Sequence, residues 1–249
     1  MGDNSYGPTV IVAASNASNT ARAHFVADGT NDEDTIQAAI DSLPTGGGTV
    51  LLTEGLFNIA SSTINLASSS RLIGQGTSTV LRLVDNSDIP TADAMIAANQ
   101  AHFTYVGYLH LEGNKANNAA GNHDGLEFIN TSSSTIEHVI VNDFDVYGIY
   151  LNTNSNYNTL SANTANNNTA VGYQALYDNT TGAQNTAVGQ GAASNTTTAS
   201  GNSVLGYAAL QVNTTGGNNV AVGQQALYGN TTASYNTAVG YQAAYSNTT

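Results

Sequence analysis

Five glycines, Gly172, Gly189, Gly206, Gly223 and Gly240, follow one another at intervals of 17 residues, and this constrains the fold more than anything else in the chain. Each closes an Asn-x-x-Val/Leu-Gly unit that starts at Asn168, Asn185, Asn202, Asn219 or Asn236. Ala175, Ala192, Ala209, Ala226 and Ala243 keep the same period, and the fifth unit is incomplete at Thr249. A unit this short, with brief strand-like runs broken by Gly and Asn-Thr-Thr, has no room for two packed helices. It fits one coil of a β-solenoid, each coil hydrogen-bonding to the next. Five such coils rise only about 24 Å.

The inward candidates are Ala, Val and Leu, so each coil encloses little apolar volume, at roughly 25 cal/mol per Å² buried. Rows of Tyr and Gln (Tyr173, Gln190, Tyr207, Gln224, Tyr241) and of Leu and Ala (Leu176, Ala193, Leu210, Leu227, Ala244) form stripes suited to contact between copies. The expectation is self-association about a threefold axis. The units NTAVGYQAL and NSVLGYAAL resemble the head repeats of trimeric autotransporter adhesins and similar repeats of phage tail fibres. That resemblance, over residues 168–249, implies trimeric left-handed parallel β-rolls.

Charge is scarce: 8% of the 249 residues are charged, where globular domains carry about 25%. The net charge is −13, and Arg22, Arg71, Arg82 and Lys115 are the four basic residues. Phosphate neutralisation needs clustered Lys and Arg, so nucleic acid and anionic membranes are excluded as partners. Without cysteine there is neither a disulfide framework nor a thiolate metal site, and no cofactor is expected. No run of 18 apolar residues predicts a membrane span, and the N-terminus lacks the basic and apolar regions of a secretory signal.

Sixteen of the seventeen carboxylates, all histidines and all basic residues lie before residue 168. There, residues 30–44 (TNDEDTIQAAIDSLP) predict a helix. Asn31 or Asp32 caps it, Glu33 and Asp34 favour its positive end, and Ile36, Ala39, Ile40 and Leu43 form its apolar face up to Pro44. GGGTVLLTEGLFNI, TINL, RLIGQG and STVLRL follow as short strands. The run from ADGTNDEDTIQ to GLFNI resembles the opening of pectate-lyase-like right-handed parallel β-helices, especially those of phage tailspikes and tail fibres. In that family the helix caps an open solenoid end. GLEFIN and GIYLN, 23 residues apart, suit its coils, and Asn130, Asn142, Asn152 and Asn163 suit its stacked asparagine turns.

The expected architecture is all-β. Residues 1–25 form an attachment arm for other virion tail proteins, 26–167 a right-handed parallel β-helix with its capping helix, and 168–249 a 17-residue-repeat β-roll, the whole trimeric. Within 122–127 (NHDGLE), Asp124 and Glu127, alone or with Glu112 near Lys115 and His138, are the candidates for a carboxylate pair that hydrolyses a glycosidic bond. Such a pair works at separations of about 6.5–9.5 Å. The plainer reading makes HDG a turn and Glu127 an outward strand residue. Asp143 and Asp145, alternating on one strand face, are candidate Ca²⁺ ligands. His24, His102 and His110 show no metal-ligand spacing. Asn-Thr-Thr triplets at Asn179, Asn195, Asn213, Asn230 and Asn247 match the glycosylation sequon but suit turns equally. The leading expectation is a structural virion fibre or spike contacting host-surface glycans. The alternatives are a tailspike-like polysaccharide depolymerase and a cell-surface adhesin or extracellular fibre.

Overall fold

The computed structural model describes residues 7–248 except 88, 90–93, 119–122, 145–146, 153–154, 156–157, 162–163, 166–167 and 180–181. Its strands are short and every pairing between them is parallel. From Gly48 onward the chain visits three sheets in rotation. Gly48–Leu52 lies in the first sheet, Gly55–Ile59 in the second and Ile64–Asn65 in the third. The next round, Ser70–Ile73, Thr79–Leu83 and Ala94–Asn99, pairs strand for strand with the last. Tyr105–Gly107, His110–Glu112 and Asp124–Ile129 form the third round, and Thr135–Glu137, Ile140–Asn142 and Tyr147–Asn152 the fourth. Alternate residues such as Val50, Leu72, Val106 and Ile136 point inward and share one core with Phe57, Leu81, Phe128 and Val141.

Thr9–Ala13, within the expected attachment arm, is itself a strand of the first sheet, paired with Gly48–Leu52 and Phe25–Val26. Val12, Ala13 and Ala14 are buried, so from Thr9 on this segment belongs to the body; residues 1–6 lie outside the described residues.

The helix runs over Asp32–Asp41 and packs Ile36, Ala39 and Ile40 onto the first strands of all three sheets. Its acidic residues do more than offset a helix dipole. Asn31 stands at the cap position in left-handed backbone with no side-chain capping bond. Asp32, fully buried, accepts the amides of Gly29 at 2.9 Å and Asn58 at 2.8 Å. Glu33, also fully buried, accepts the Ala60 amide at 3.1 Å, the Ser61 amide at 2.7 Å and the Ser61 hydroxyl at 3.0 Å. Burial raises the Asp32 pKa, and its two amide donors oppose the rise. The pair therefore pins the helix to Gly55–Ile59 and the loop after it. No helix among the described residues is long and apolar enough to cross a membrane.

The third sheet continues through residue 168: Tyr147–Asn152 pairs with Asn168–Val171, with one register irregularity between Tyr147 and Ile149. Thr186–Val188, Ser203–Leu205, Val220–Val222 and Thr237–Val239 then add one strand per 17-residue unit. Charge cannot bind these units, because Asp178 is the one charged side chain after residue 167; uncharged amides do so instead. Buried Asn185 donates its side-chain amide to Asn168 at 3.1 Å, Asn202 to Asn185 at 3.0 Å and Asn236 to Asn219 at 3.1 Å. The side-chain oxygens of Asn168, Asn185, Asn202 and Asn219 accept the backbone amides of Asn185, Asn202, Asn219 and Asn236 in turn.

A second ladder holds the sequon asparagines. Asn213 and Asn230 are fully buried and Asn179 nearly so, and their side-chain amides donate to the carbonyls of Gly216, Ala233 and Gly182. They are turn-forming core residues. Asn195, by contrast, is exposed and one residue out of step, and Thr196 takes the ladder position in its unit. The Asn179 side-chain oxygen and the Thr196 hydroxyl are buried without partners, as is the Asn230 side-chain oxygen one unit before the end of the ladder. Asn230 shows what an asparagine does at that position, donating to Asn213 at 3.1 Å and to Ala233 at 3.0 Å. Thr196→Asn is therefore expected to stabilise the chain by about 1 kcal/mol, read as a rise of about 2–4 °C in melting temperature. An unchanged or lower melting temperature would contradict this reading of the ladder.

Candidate functional site

The candidate carboxylates of the front part are spread over two sheets. Asp124–Ile129 turns Leu126 and Phe128 into the core; Asp124 shares their side of the strand, and Glu127 takes the other. Asp124 is buried, and its side chain accepts the Tyr147 amide at 2.9 Å, which joins one round of the winding to the next. Glu127 faces outward over an open groove of about 350 Å³ lined by Ser61, Thr63, Asn65 and Asn99. Glu112 lies in the second sheet, where it pairs with Arg82 at 2.5 Å and stands 3.6 Å from His110. Asp124 and Glu127 thus stand on one strand of the third sheet, both near the Tyr147–Tyr150 pair, and Glu112 stands in the second sheet.

The remaining candidates have local roles. Asp143 is an exposed turn residue at φ 56°, whose carbonyl accepts the Lys115 amide at 3.0 Å; Asp145, like Asn122 and Asn163, lies outside the described residues. His138 stacks on Tyr108 with ring centroids 4.8 Å apart, and His123 is buried 3.3 Å from the Ile89 carbonyl. His24 and His102 accept hydrogen bonds from the Ile11 and Ser132 amides. No group of three or more His, Asp or Glu that could hold a metal ion occurs among the described residues.

At the passage between the two apolar clusters, Tyr147 and Tyr150 are buried with ring centroids 4.3 Å apart, and the Tyr147 hydroxyl donates to the Leu176 carbonyl at 2.6 Å. Burial pushes both phenols above their usual range, so they remain neutral hydrogen-bonding side chains.

The repeats present the most distinctive surface. Each strand turns its middle residue inward (Ala170, Ala187, Val204, Ala221, Ala238), which sends the next residue outward. Val171, Val188, Leu205, Val222 and Val239 are direct register partners; Val171 still packs against the front core, Val188 and Val222 are half-buried, and Leu205 and Val239 are 51% and 69% exposed. From Val188 onward this corrects the expectation that they fill the core. The expected Leu/Ala surface stripe is corrected at four of its five positions: Leu176, Ala193, Leu210 and Leu227 are fully buried, each in left-handed backbone at φ 50–52°, and Ala244 is exposed. Tyr173, Tyr207 and Tyr241 are exposed as expected, two residues beyond the Val/Leu row. Alternation along each three-residue strand was the signal for this arrangement, but the runs are too brief to separate inward Val from outward Val.

No protein-family model matches the chain, and no curated protein matches it. Among solved structures it is similar to the A-module of mannuronan C-5 epimerase AlgE6 from Azotobacter vinelandii, at 21% identity and a TM-score of 0.47, over 77% of this chain and 54% of that one. It is also similar to ORF18 of Geobacillus virus E2, at 13% identity and a TM-score of 0.44, over 84% of this chain and 38% of that one. The chain thus spans about half, or less, of these two structures.

Proposed function

We propose that this chain is a structural segment of a phage tail fibre or spike: a closed β-solenoid, trimeric, projecting from the virion and contacting host-surface glycans, with its N-terminal residues docking onto other tail proteins. One observation carries the reading. The third sheet runs through nine parallel strands, from Ile64–Asn65 to Thr237–Val239, and ends in repeats whose outer row is Val and Leu flanked by Tyr. A stack of this kind serves reach and rigidity, and an uncharged apolar row along its length is a surface made to be covered. Three copies meeting along that row supply the apolar burial that Ala-lined units lack within one chain. The depolymerase alternative would rest on Asp124, Glu127 and Glu112, of which Asp124 braces the Tyr147 amide and Glu112 is paired with Arg82.

The assembly is tested by placing charge in the row. Leu205→Glu with Val239→Glu alters two exposed side chains and leaves the inward residues untouched. The expected result by light scattering is a fall from a multiple of the 25.5 kDa chain mass to the single-chain mass. An assembly of unchanged mass would show that copies do not meet along this row.

A further inference from the structure

We infer that the outer face of the first sheet carries a binding cleft for a neutral sugar unit, built on Phe103 and Arg71; this deepens the glycan contact of the reading above. The chain makes the same turn before three consecutive strands of that sheet, and the turn residue is left-handed each time: Ser69 at φ 63°, Phe103 at φ 58° and Ser133 at φ 55°. Two of the three are small and polar. The third is a phenylalanine that is 66% exposed, in a backbone conformation that bulky residues avoid. Neither packing nor turn chemistry calls for an aromatic ring there.

Beside it lies an open cleft of about 340 Å³, lined by Ser69, Arg71, Phe103, Tyr105, Ser133 and Thr135. Arg71, Tyr105 and Thr135 are register partners across three strands, so their side chains stand in one row. The Arg71 guanidinium lies 4.3 Å from the centre of the Tyr105 ring, and the Tyr105 hydroxyl donates to Glu137. Gly107 leaves the space in which this ring lies, since a Cβ there would come within 2.7 Å of the Tyr105 hydroxyl oxygen. The cation is thereby held in a fixed place before any ligand arrives.

An apolar ring for the C–H face of a sugar, surrounded by Ser and Thr hydroxyls and guanidinium donors, matches the alternating apolar and hydroxyl surface of a pyranose. Charge selects the class. The one cation in the cleft is coupled through Tyr105 to a carboxylate, and the chain carries a net charge of −13, so an acidic sugar approaches against an unfavourable field.

Saturation-transfer NMR on the full chain tests this, with D-glucose, D-galactose, D-mannose and N-acetyl-D-glucosamine as neutral probes and D-glucuronate as the acidic one. The comparison variant is Phe103→Ser, which places the residue found at the two equivalent turns and should leave the melting temperature unchanged. The expected result is transfer from aromatic protons to at least one neutral sugar, reduced about tenfold in Phe103→Ser, the loss of one stacking platform. Transfer to none of the four, transfer that survives Phe103→Ser, or transfer to glucuronate alone would overturn the inference. Assembly is read separately: a monomer that binds sugar through Phe103 sinks the fibre reading and keeps the cleft, and a trimer that binds none does the reverse.

Discussion

Glu33→Ala is expected to cost about 3 kcal/mol or more and to lower the melting temperature by about 6–12 °C. The reason lies in what the carboxylate leaves behind. Its two oxygens serve the Ala60 amide, the Ser61 amide and the Ser61 hydroxyl from a fully buried position, and alanine replaces none of these acceptors. Hydrogen bonds to a charged group contribute about 1.5–3 kcal/mol each, and because Ala60 is half-buried and Ser61 exposed, water recovers part of the loss. Glu33→Gln is the informative partner variant, because it keeps the shape and one acceptor oxygen and should lose roughly half as much. Equal losses in the two variants would place the importance of Glu33 in its charge rather than in its acceptors. Thermal unfolding followed by circular dichroism distinguishes these outcomes.

The second large effect concerns Gly206. Its backbone sits at φ 140°, and a Cβ there would lie 2.5 Å from the Gly223 carbonyl oxygen in the next unit, nearer than the two can approach. Neither atom belongs to a flexible side chain, so Gly206→Ala must push two rungs of the third sheet apart. The expected loss is about 3 kcal/mol or more. Gly240 supplies the control within the same chain. Its φ of 130° is similarly unfavourable for alanine, but the nearest atom to a Cβ there is the Ala243 Cβ at 3.9 Å. Gly240→Ala should therefore cost only backbone strain, about 1 kcal/mol. Similar losses at Gly206 and Gly240 would mean that φ alone demands glycine, and the close stacking of successive units would lose its support.

Much of this architecture was legible in the sequence, and the limits of legibility have physical causes. The period of Gly172 to Gly240 announces stacked units because a close approach repeated from Gly172 to Gly223 admits no Cβ wherever another unit follows. The helix was visible in the spacing of Ile36, Ala39 and Ile40. The use of Asp32 and Glu33 was not, since acidic residues in a first helical turn look alike whether they face solvent or brace a distant loop. The inward turn of Leu176 was hidden for a different reason. Its direction depends on a left-handed backbone that leucine rarely adopts, and sequence pattern assigns such positions to Gly or Asn. The Asn-Thr-Thr triplets misled by one residue at Asn195, where the match to a motif departed from the 17-residue register that Thr196 keeps.

The carboxylates were the least legible feature. Asp124 and Glu127 are close in sequence, but a separation of three residues on a strand places them on opposite faces. Glu112 reaches a different sheet altogether. Arg71 lies 32 and 34 positions before Phe103 and Tyr105 and the three carry no motif, so only the register of the first sheet brings them together.

The most direct test of a self-associating solenoid is the native mass of residues 1–249 by light scattering, before and after mild SDS treatment. A species near three times the 25.5 kDa chain mass that resists SDS is the expected result. A stable species of 25.5 kDa would contradict it, because the Ala-lined repeats would then be sufficient alone and the Val171 to Val239 row would have nothing to cover it.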